Sequence, residues 1–332
     1  MIQKTKQTIR ALRKFLKKSQ RAPNTTGLIL LYHRVQEMDS DPYDLTVSPS
    51  RFKDQLQYIK NTCNPISLSY LIEAVKSKRL PNRAVAVTFD DGYIDNLEVA
   101  YPLLESQGIP ATIFVASGYI GGVKEFWWDA LERILLLNKQ LPNQLQLWIK
   151  NKKYDWTISS IDQQEQVHRE IYQALRLLHP IEREQILEEL ISWGGGDSKT
   201  RTHLRPMTEA ELRKLAQSGL VDIGAHSINH PVLASLPLTM QQAEIWESRD
   251  QLEKIMEKPI TVFAYPYGKR NDFSNKTTNL LKLTGFQAGC TTIPGYIASG
   301  DNVFRLNRAV VKNWDIETFK YWLEEAFISS DL

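Results

Sequence analysis

The chain has 332 residues, of which 42% are apolar and 24% are charged, a composition that is ordinary for a globular protein with a large buried core. No stretch approaches the ~18 consecutive apolar residues that a transmembrane helix needs. The only cysteines, Cys63 and Cys290, are too few for a disulfide framework or a cysteine-based zinc site.

The net charge of +3 is unevenly distributed along the chain. Residues 1–21 carry eight Lys or Arg and no acid, which leaves a net charge of about −5 on the rest. Apolar residues recur at helical spacing in this segment, so we expect residues 1–22 to form a basic amphipathic tail that contacts an anionic membrane surface. A solvated or disordered tail is the alternative.

The tail also bears on location and partners. It lacks the unbroken apolar core of a secretory signal, so we expect a cytoplasmic protein with peripheral membrane contact. Because the basic residues cluster in the tail and not across the body, we expect no binding to nucleic acid. The sequence leaves the oligomeric state open.

Strands and helices alternate in the first third of the chain. In order, the pattern predicts a strand at 27–32, a helix from 49, a strand at 84–89, a helix at 94–107 and a strand at 111–115. This alternation is typical of parallel βα units.

Residues 119–207 interrupt the alternation with mostly helical periodicity, as at Leu131, Ile134 and Leu135. We expect a helical insertion of about ninety residues at the rim of the sheet. It holds five tryptophans, most of which we expect to be core residues. Trp127 and Trp128 start the insertion and therefore lie nearest the rim.

The strand–helix alternation resumes after the insertion. Thr208 and Glu211 form a capping-box pattern that starts a helix. Beyond it, the pattern predicts strands at 220–225, 260–264, 286–290 and 303–311, with helices near 238–256 and 274–284. The chain therefore contains about seven strands of this kind.

Two short runs carry the chemistry. The run Thr-Phe-Asp-Asp-Gly ends at Asp90, Asp91 and Gly92, and the run His-Ser-Ile-Asn-His extends from His226 to His230; each directly follows a predicted strand. Two carboxylates and two imidazoles form the ligand set of a divalent-metal hydrolase with one carboxylate to spare. Adjacent acids on a strand point to opposite faces, so a shared site requires a turn, which Gly92 permits.

Simpler interpretations of both runs stay open. Asp and Gly are also favoured in helix caps and turns, and the two histidines can be loop residues that form hydrogen bonds. The joint occurrence of the two runs, each after a strand, favours the metal site.

Together with the run Phe-Ala-Tyr-Pro-Tyr-Gly at 263–268, these runs resemble the first three motifs of the NodB-type polysaccharide deacetylases, carbohydrate esterase family four. The resemblance covers roughly residues 27–312. It implies an α/β fold, a distorted (β/α)7 barrel built from residues 23–118 and 208–332 around the helical insertion. It further implies hydrolysis of N-acetyl groups on an N-acetylglucosamine-type glycan.

The resemblance also implies roles for single residues. Asp91, His226 and His230 correspond to the metal ligands, with zinc as the default metal and cobalt or nickel as alternatives. Asp90 corresponds to the general base. Tyr267 corresponds to the residue whose backbone N–H binds the oxyanion, and Pro266 and Gly268 shape the same substrate-binding turn.

The chain departs from the common family pattern at two places. No histidine follows in a Leu-x-x-His motif near the C-terminus, whereas the Tyr-His-Arg-Val run around His33 resembles the poly-N-acetylglucosamine deacetylase branch. We therefore expect His33 to act as general acid, with a structural strand-end histidine as the alternative. Ala264 stands where many relatives carry an Arg that pairs with the base; Arg308 is our candidate replacement and Arg34 the second choice.

Trp127 and Trp128 are the tryptophans that we expect to contact substrate sugar. Two other functions stay open at this stage. The same site can hydrolyse an O-acetyl ester or a non-sugar amide, because a fold does not dictate its substrate. A non-catalytic carbohydrate-binding protein is the third interpretation, and the intact Asp and His runs argue against it.

Overall fold

The computed structural model describes residues 25–195 and 201–329. The predicted tail at 1–22 lies outside these ranges, so its membrane contact and the cellular location stay predictions. Among the described residues, no helix combines the length and the apolar character that crossing a bilayer requires.

A curled, mostly parallel sheet forms the centre of the protein. Its strands and those of two small additional sheets are, in chain order, β1 (Thr26–Tyr32), β2 (Arg34–Val35), β3 (Thr46–Val47), β4 (Asn64–Pro65), β5 (Ala84–Phe89), β6 (Ala111–Val115), β7 (Gln144–Ile149), β8 (Lys152–Thr157), β9 (Val221–Ala225), β10 (Val262–Ala264), β11 (Ala288–Cys290), β12 (Ile297–Ala298) and β13 (Ala309–Val310).

Helices cover the sheet and build the insertion. The described α-helices are α1 (Pro49–Thr62), α2 (Leu68–Lys76), α3 (Tyr101–Gln107), α4 (Trp127–Glu132), α5 (Ile161–Leu175), α6 (Pro180–Gly194), α7 (Glu209–Gln217), α8 (Leu238–Met256), α9 (Asn275–Leu283) and α10 (Ile316–Ala326).

The central strands follow the order β11-β10-β9-β6-β5-β1, all parallel, and β13 pairs in parallel with β1. Just before β13, Leu306 forms a parallel bridge to Cys290 at the end of β11. The segment from Leu306 to Val310 therefore joins the two edges of the sheet. This closure, irregular as it is, confirms the predicted distorted (β/α)7 barrel.

The central strands are buried on both faces, as expected for a parallel sheet covered by helices. In β1, Leu28 and Leu30 pack in one hydrophobic cluster, whereas Ile29 between them packs in another together with Ala84 and Ala86 of β5. Because successive side chains of a strand point to opposite faces, the two clusters occupy the two sides of the sheet.

The parallel arrangement also places the chemical motifs. His33 follows β1, Asp90 follows β5, His226 follows β9 and Tyr267 lies just beyond β10. Carboxyl ends of parallel strands meet at one end of a barrel, where loops build active sites. The strand order therefore brings four distant sequence segments to the same rim.

The insertion is not purely helical, which corrects the sequence-based prediction. It contains α4, α5 and α6, and also the antiparallel hairpin β7–β8. In β7, Leu145, Leu147 and Ile149 are buried and alternate with exposed residues, which is the period of a strand with one covered face. The helical periodicity of the neighbouring segments conceals this short alternation in the sequence.

Where the insertion returns to the barrel, one carboxylate combines several interactions. Glu211 accepts two hydrogen bonds from the guanidinium of Arg205, at 2.6 and 2.8 Å, and one from the backbone N–H of Thr208 at 2.8 Å. The predicted capping box at α7 is therefore confirmed. The hydrogen bonds from Arg205 are the largest influence on the pKa of Glu211, which falls from 4.5 to about 2.

This lowered pKa predicts how stability depends on pH. A carboxylate with a depressed folded-state pKa stabilises the fold above its unfolded pKa, and the contribution is lost as the pH falls through the folded value. We expect Glu211→Gln to reduce the free energy of unfolding by about 1 kcal/mol at pH 7, since the pair is partly exposed. The difference from the unmodified protein should shrink between pH 4.5 and about 2.

Thermal unfolding at several pH values measures this difference. Glu209→Gln, which removes an exposed carboxylate from the same helical turn, is the matched control and should have a smaller effect. A Glu211→Gln deficit that stayed constant down to pH 2 would contradict the assigned role of the charge.

Candidate metal centre and active site

Asp90 and Arg308 form a buried ion pair at the rim of the barrel. Both guanidinium Nη atoms donate to the Asp90 carboxylate, each at 2.7 Å, while Arg308 Nε donates to the Thr291 carbonyl at 2.8 Å. Asp90 is 2% exposed and Arg308 is 0% exposed. Burial by itself raises the pKa of Asp90, but Arg308 and then His226 bring it below its ordinary value.

A tight turn directs the next carboxylate into the same region. Asp91 has a φ of 74° and Gly92 a φ of 84°, and Gly92 N–H donates to the Asp90 carbonyl at 3.0 Å. The left-handed backbone ends the alternation of the strand, so adjacent carboxylates need not point to opposite faces. This is the turn that the glycine predicts.

Asp91, His226 and His230 converge as a candidate metal site. One ligand atom from each lies within 4.8 Å of the other two. The Asp91 Oδ1 atom is 3.5 Å from His230 Nε2 and 3.8 Å from His226 Nε2. His226 Nδ1 donates to the Ala264 carbonyl at 2.8 Å, which leaves Nε2 with its lone pair free for a metal.

The electrostatics of this cluster fit a divalent cation. Among the described residues, Asp91 Oδ1 is buried without a hydrogen-bond partner. Burial, followed by the charge of Asp90, raises the pKa of Asp91 well above its ordinary value. Burial lowers the pKa of both His226 and His230, so their imidazoles are neutral ligands. A cation would supply the missing partner of the Asp91 carboxylate by displacing the proton that the raised pKa favours, while the two neutral histidines offer their lone pairs without losing a proton.

The loop that carries His230 is held from two sides. Glu244 of α8 accepts hydrogen bonds from the backbone N–H groups of Ile228 and Asn229, both at 2.9 Å. Arg183 of α6 donates to the Asn229 carbonyl at 2.7 Å. Barrel and insertion therefore both fix the residue that precedes His230, and sequence reasoning identified neither Glu244 nor Arg183.

A second buried network connects the insertion to the cluster. The Trp128 ring packs edge-to-face on His230 with centroids 4.8 Å apart, and its Nε1 donates to the Tyr93 hydroxyl at 2.8 Å. That hydroxyl donates to Asp129 at 2.8 Å, and Arg34 donates to the other Asp129 oxygen at 3.3 Å. Asp129 thus binds the residues that directly follow two of the sequence motifs, and through Tyr93 and Trp128 the network extends to His230.

This network was also missed at the sequence level. An acid directly after two tryptophans, at the start of the insertion, was an available signal. Arg34, the second choice for holding Asp90, instead pairs with Asp129.

His33 lies half-buried in the wall of the same cavity as Asp90. Its backbone carbonyl accepts a hydrogen bond from Asn96 Nδ2 at 2.9 Å. Burial is the largest influence on its side chain and lowers the pKa to about 4, although Asp90 acts in the opposite direction. The imidazole is therefore neutral at pH 7.

Tyr267 also lines the cavity, and its backbone has a φ of 58°. Its ring packs edge-to-face on His230 at 4.7 Å and lies beneath the guanidinium of Arg176 at 4.6 Å. A positive φ at a non-glycine residue costs energy and persists only where the surroundings impose it. Gly268, with a φ of 65°, completes the turn by donating to the Pro266 carbonyl at 2.6 Å.

The structure brings most of the predicted residues into one cavity of about 370 Å³. The predicted residues that line it are His33, Asp90, Asp91, Trp128, His226, His230 and Tyr267. Arg308 lies behind Asp90 and contacts it directly.

Three predicted substrate contacts are not part of the cavity wall. Pro266 and Gly268 shape the turn without lining the cavity. Trp127 is 1% exposed and stacks on Tyr172 at 5.1 Å inside the core of the insertion. The position of Trp127 in the sequence suggested a place at the rim, but its large apolar ring is instead buried among other aromatic rings. Trp128 lines the cavity but is only 4% exposed.

Comparisons with known proteins agree with this geometry. A family model described as polysaccharide deacetylase matches residues 77–205 and 195–289. The protein YxkH of Bacillus subtilis, named as a polysaccharide deacetylase, is 23% identical over 287 residues, covering 85% of this chain and 70% of that protein. The poly-beta-1,6-N-acetyl-D-glucosamine N-deacetylase of Staphylococcus epidermidis is 22% identical over 312 residues, with coverages of 90% and 83%.

The fold is similar to that of solved structures. IcaB from Ammonifex degensii superposes with a TM-score of 0.61 at 18% identity, covering 91% of this chain and 98% of that one. At this level of identity the likeness establishes a shared fold.

The converging ligands predict that metal binding depends on each histidine. We expect His226→Ala and His230→Ala each to weaken binding of a divalent cation by more than ~100-fold, since loss of a ligand exceeds the effect of an outer contact. Metal content after dialysis and titration with Co²⁺ would measure this. His203→Ala, an exposed histidine of the insertion, is the control and should bind normally. Full metal occupancy in His226→Ala would refute the site.

The Tyr93 network predicts an outer-shell effect on the same centre. We expect Tyr93→Phe to weaken metal binding by about tenfold, because Trp128 loses the acceptor that fixes its ring against His230. The control is Glu125→Gln, which disrupts ion pairs to Arg133 and Arg201 in the same insertion. The control should lower the melting temperature and leave metal affinity unchanged; equal metal affinities of Tyr93→Phe and the unmodified protein would contradict the coupling.

Proposed function

This chain belongs to the polysaccharide deacetylase family, and from that premise we propose that it removes N-acetyl groups from a glycan of the N-acetylglucosamine type. The observation that carries the proposal is the convergence of Asp91, His226 and His230 beside an Asp90 that Arg308 holds apart from them. The name of the Staphylococcus epidermidis relative supports the choice of an N-acetylated sugar.

Asp91, His226 and His230 are the residues that would hold the cation. The donor set of one carboxylate and two imidazoles makes zinc the default, with cobalt and nickel as alternatives. A bound divalent cation supplies a water of lowered pKa and polarises the amide carbonyl.

Asp90 is the proposed general base. Its Oδ2 atom lies 3.7 Å from His226 Nε2, so it borders the ligand cluster. Arg308 keeps it ionised and oriented, so it can accept a proton from the attacking water instead of serving as a ligand. The two adjacent acids can then have different roles: Asp91 would bind the metal, and Asp90 would accept the proton.

His33 is the proposed general acid. Since its imidazole is neutral at pH 7, its proton has to arrive during the reaction. His33 lines the same cavity as Asp90, whose charge acts to raise the pKa of the imidazole. An imidazolium that forms during the reaction would therefore be stabilised beside Asp90 and could donate its proton to the departing amine.

The turn at Tyr267 is the proposed oxyanion contact. A backbone N–H that is aimed at the developing negative charge typically contributes about 3 kcal/mol to lowering the barrier. Pro266 and Gly268 hold the turn in its compact geometry, and the Tyr267 ring forms part of the wall against which the acetyl-bearing sugar would lie.

Acetate release from N-acetylglucosamine oligomers tests this function. We expect release that a chelator abolishes and that added zinc or cobalt restores. Asp90→Asn should keep its metal while its turnover falls by about 10²–10⁴-fold, because the amide cannot accept the proton. Its melting temperature is measured in parallel, since the variant also loses the charge that pairs with Arg308.

Two comparisons make the result specific. His203→Ala should turn over normally, and O-acetylated sugars presented in parallel should be poorer substrates than N-acetylated ones. Normal turnover by Asp90→Asn would eliminate the assigned base, and exclusive release from O-acetyl esters would replace the proposed amide substrate.

A further inference from the structure

Arg176 reaches from the insertion to the turn that carries the proposed oxyanion contact. It directly follows α5 and lines the catalytic cavity. Its guanidinium lies over the Tyr267 ring at 4.6 Å, and its Nη2 donates to the Asp272 carboxylate at 2.8 Å. The side chains of this ion pair are 17% and 8% exposed. Two contacts therefore hold Arg176 against the barrel, and neither the metal site nor the proton transfer described above uses them.

Asp272 extends the contact to the backbone that follows the turn. Its second carboxylate oxygen accepts a hydrogen bond from the Lys269 backbone N–H at 3.0 Å, and its own backbone N–H donates to the Lys269 carbonyl at 2.9 Å. Asp272 is buried. One buried carboxylate thus joins Arg176 to the backbone two residues after Tyr267.

The turn needs contacts of this kind because its backbone is strained. Tyr267 has a φ of 58°, which a non-glycine residue keeps only where its surroundings impose it. From the barrel, the backbone N–H of Thr292 donates to the Gly268 carbonyl at 3.0 Å, and its hydroxyl donates to the Tyr267 carbonyl. The barrel therefore holds the carbonyl groups of the turn, whereas Arg176 of the insertion packs on its side chain.

The backbone N–H of Tyr267 is the group whose direction matters for an oxyanion. Within the described part of the chain it donates no hydrogen bond, whereas the N–H groups of Tyr265 and Gly268 both have carbonyl acceptors. Such a donor stabilises developing charge only if its direction is fixed before the reaction. A misplacement of about 1 Å can lower turnover by about 10²-fold.

We propose that Arg176 is a positioning residue for the deacetylation. By packing on the Tyr267 ring and, through Asp272, fixing the backbone after it, Arg176 keeps the Tyr267 N–H directed at the oxyanion. The inference rests on the proposed function and deepens it. It assigns the insertion a part in the oxyanion contact in addition to its contacts behind the metal ligands.

Arg176→Met tests this role, because methionine keeps an apolar stem and removes the guanidinium. With the metal-loaded protein and N-acetylglucosamine oligomers, we expect kcat to fall by about 10–100-fold. KM should change by less than about twofold, and the affinity for Co²⁺ should stay the same, since no ligand or ground-state contact is removed. A raised KM with an unchanged kcat would make Arg176 a substrate contact and overturn the inference.

Backbone hydrogen exchange measures the turn directly and needs no turnover. The amides of Lys269 and Asp272 are hydrogen-bonded within this segment, so their exchange reports how often it opens. We expect residues 267–272 to exchange about tenfold faster in Arg176→Met, while the peptide that contains His230 exchanges as in the unmodified protein. Unchanged exchange of residues 267–272 would overturn the inference.

Two further variants make the result specific. Arg169→Met, on the same helix, removes an exposed ion pair to Glu165 and should leave both kcat and exchange unchanged. Asp272→Asn keeps an acceptor for the Lys269 N–H and removes the charge. Combined with Arg176→Met, it should lower kcat no further than Arg176→Met alone, because residues that act as one contact are not additive. Additive losses would contradict this.

The two readouts separate this inference from the proposed function. Faster exchange of residues 267–272 in Arg176→Met, without acetate release by the unmodified protein, would refute the deacetylase activity and leave the hold of Arg176 on the turn standing. Acetate release by the unmodified protein with a normal kcat in Arg176→Met would refute the positioning role and leave the activity standing.

Discussion

The pair of Arg308 with Asp90 is the interaction on which the active end of the barrel depends. It connects the segment before β13 to the end of β5, across 218 positions of sequence, at the place where the sheet closes. Both side chains are buried, so neither charge can be solvated by water if its partner is lost. Removing one partner of such a pair typically costs about 3–5 kcal/mol. The same ion pair therefore anchors the segment that closes the barrel and keeps Asp90 ionised.

Because of this pair, two adjacent carboxylates acquire opposite character. Arg308 lowers the pKa of Asp90 below its ordinary value, whereas burial and the charge of Asp90 raise the pKa of Asp91. The first stays ionised without a cation, and the second has an oxygen that needs a partner. Pairs of titratable groups whose environments separate their pKa values commonly divide the acid and base roles of a site. The turn at Gly92 makes the division possible by directing both into one cavity.

The insertion is part of the site and not an addition to the barrel. Through Trp128 it packs on His230, through Arg183 it holds the loop before His230, and through Asp129 it binds Tyr93 and Arg34. Such outer contacts orient metal ligands. The same insertion contributes Tyr172 and Arg176 to the catalytic cavity.

Sequence patterns by themselves determined the alternation of strands and helices and placed the Asp and His motifs directly after strands. The resemblance of these motifs to the polysaccharide deacetylases then implied the barrel and the roles of the residues. Periodicity identifies strands such as β1 and β5, and parallel strands necessarily bring the residues after them to one end. Local signals also sufficed for the capping box at Glu211, because its partners lie within a few residues.

Only the tertiary structure decided which side chains contact one another over long distances. The sequence alone could not decide whether Arg308 or Arg34 pairs with Asp90, since each lies next to a strand and both carry a positive charge. The sequence also did not predict that Trp127 is buried, that Asp129 binds both Tyr93 and Arg34, or that Glu244 holds the loop before His230. Periodicity reports which face of an element is apolar, whereas a buried hydrogen bond depends on how whole elements pack, and that information is not local.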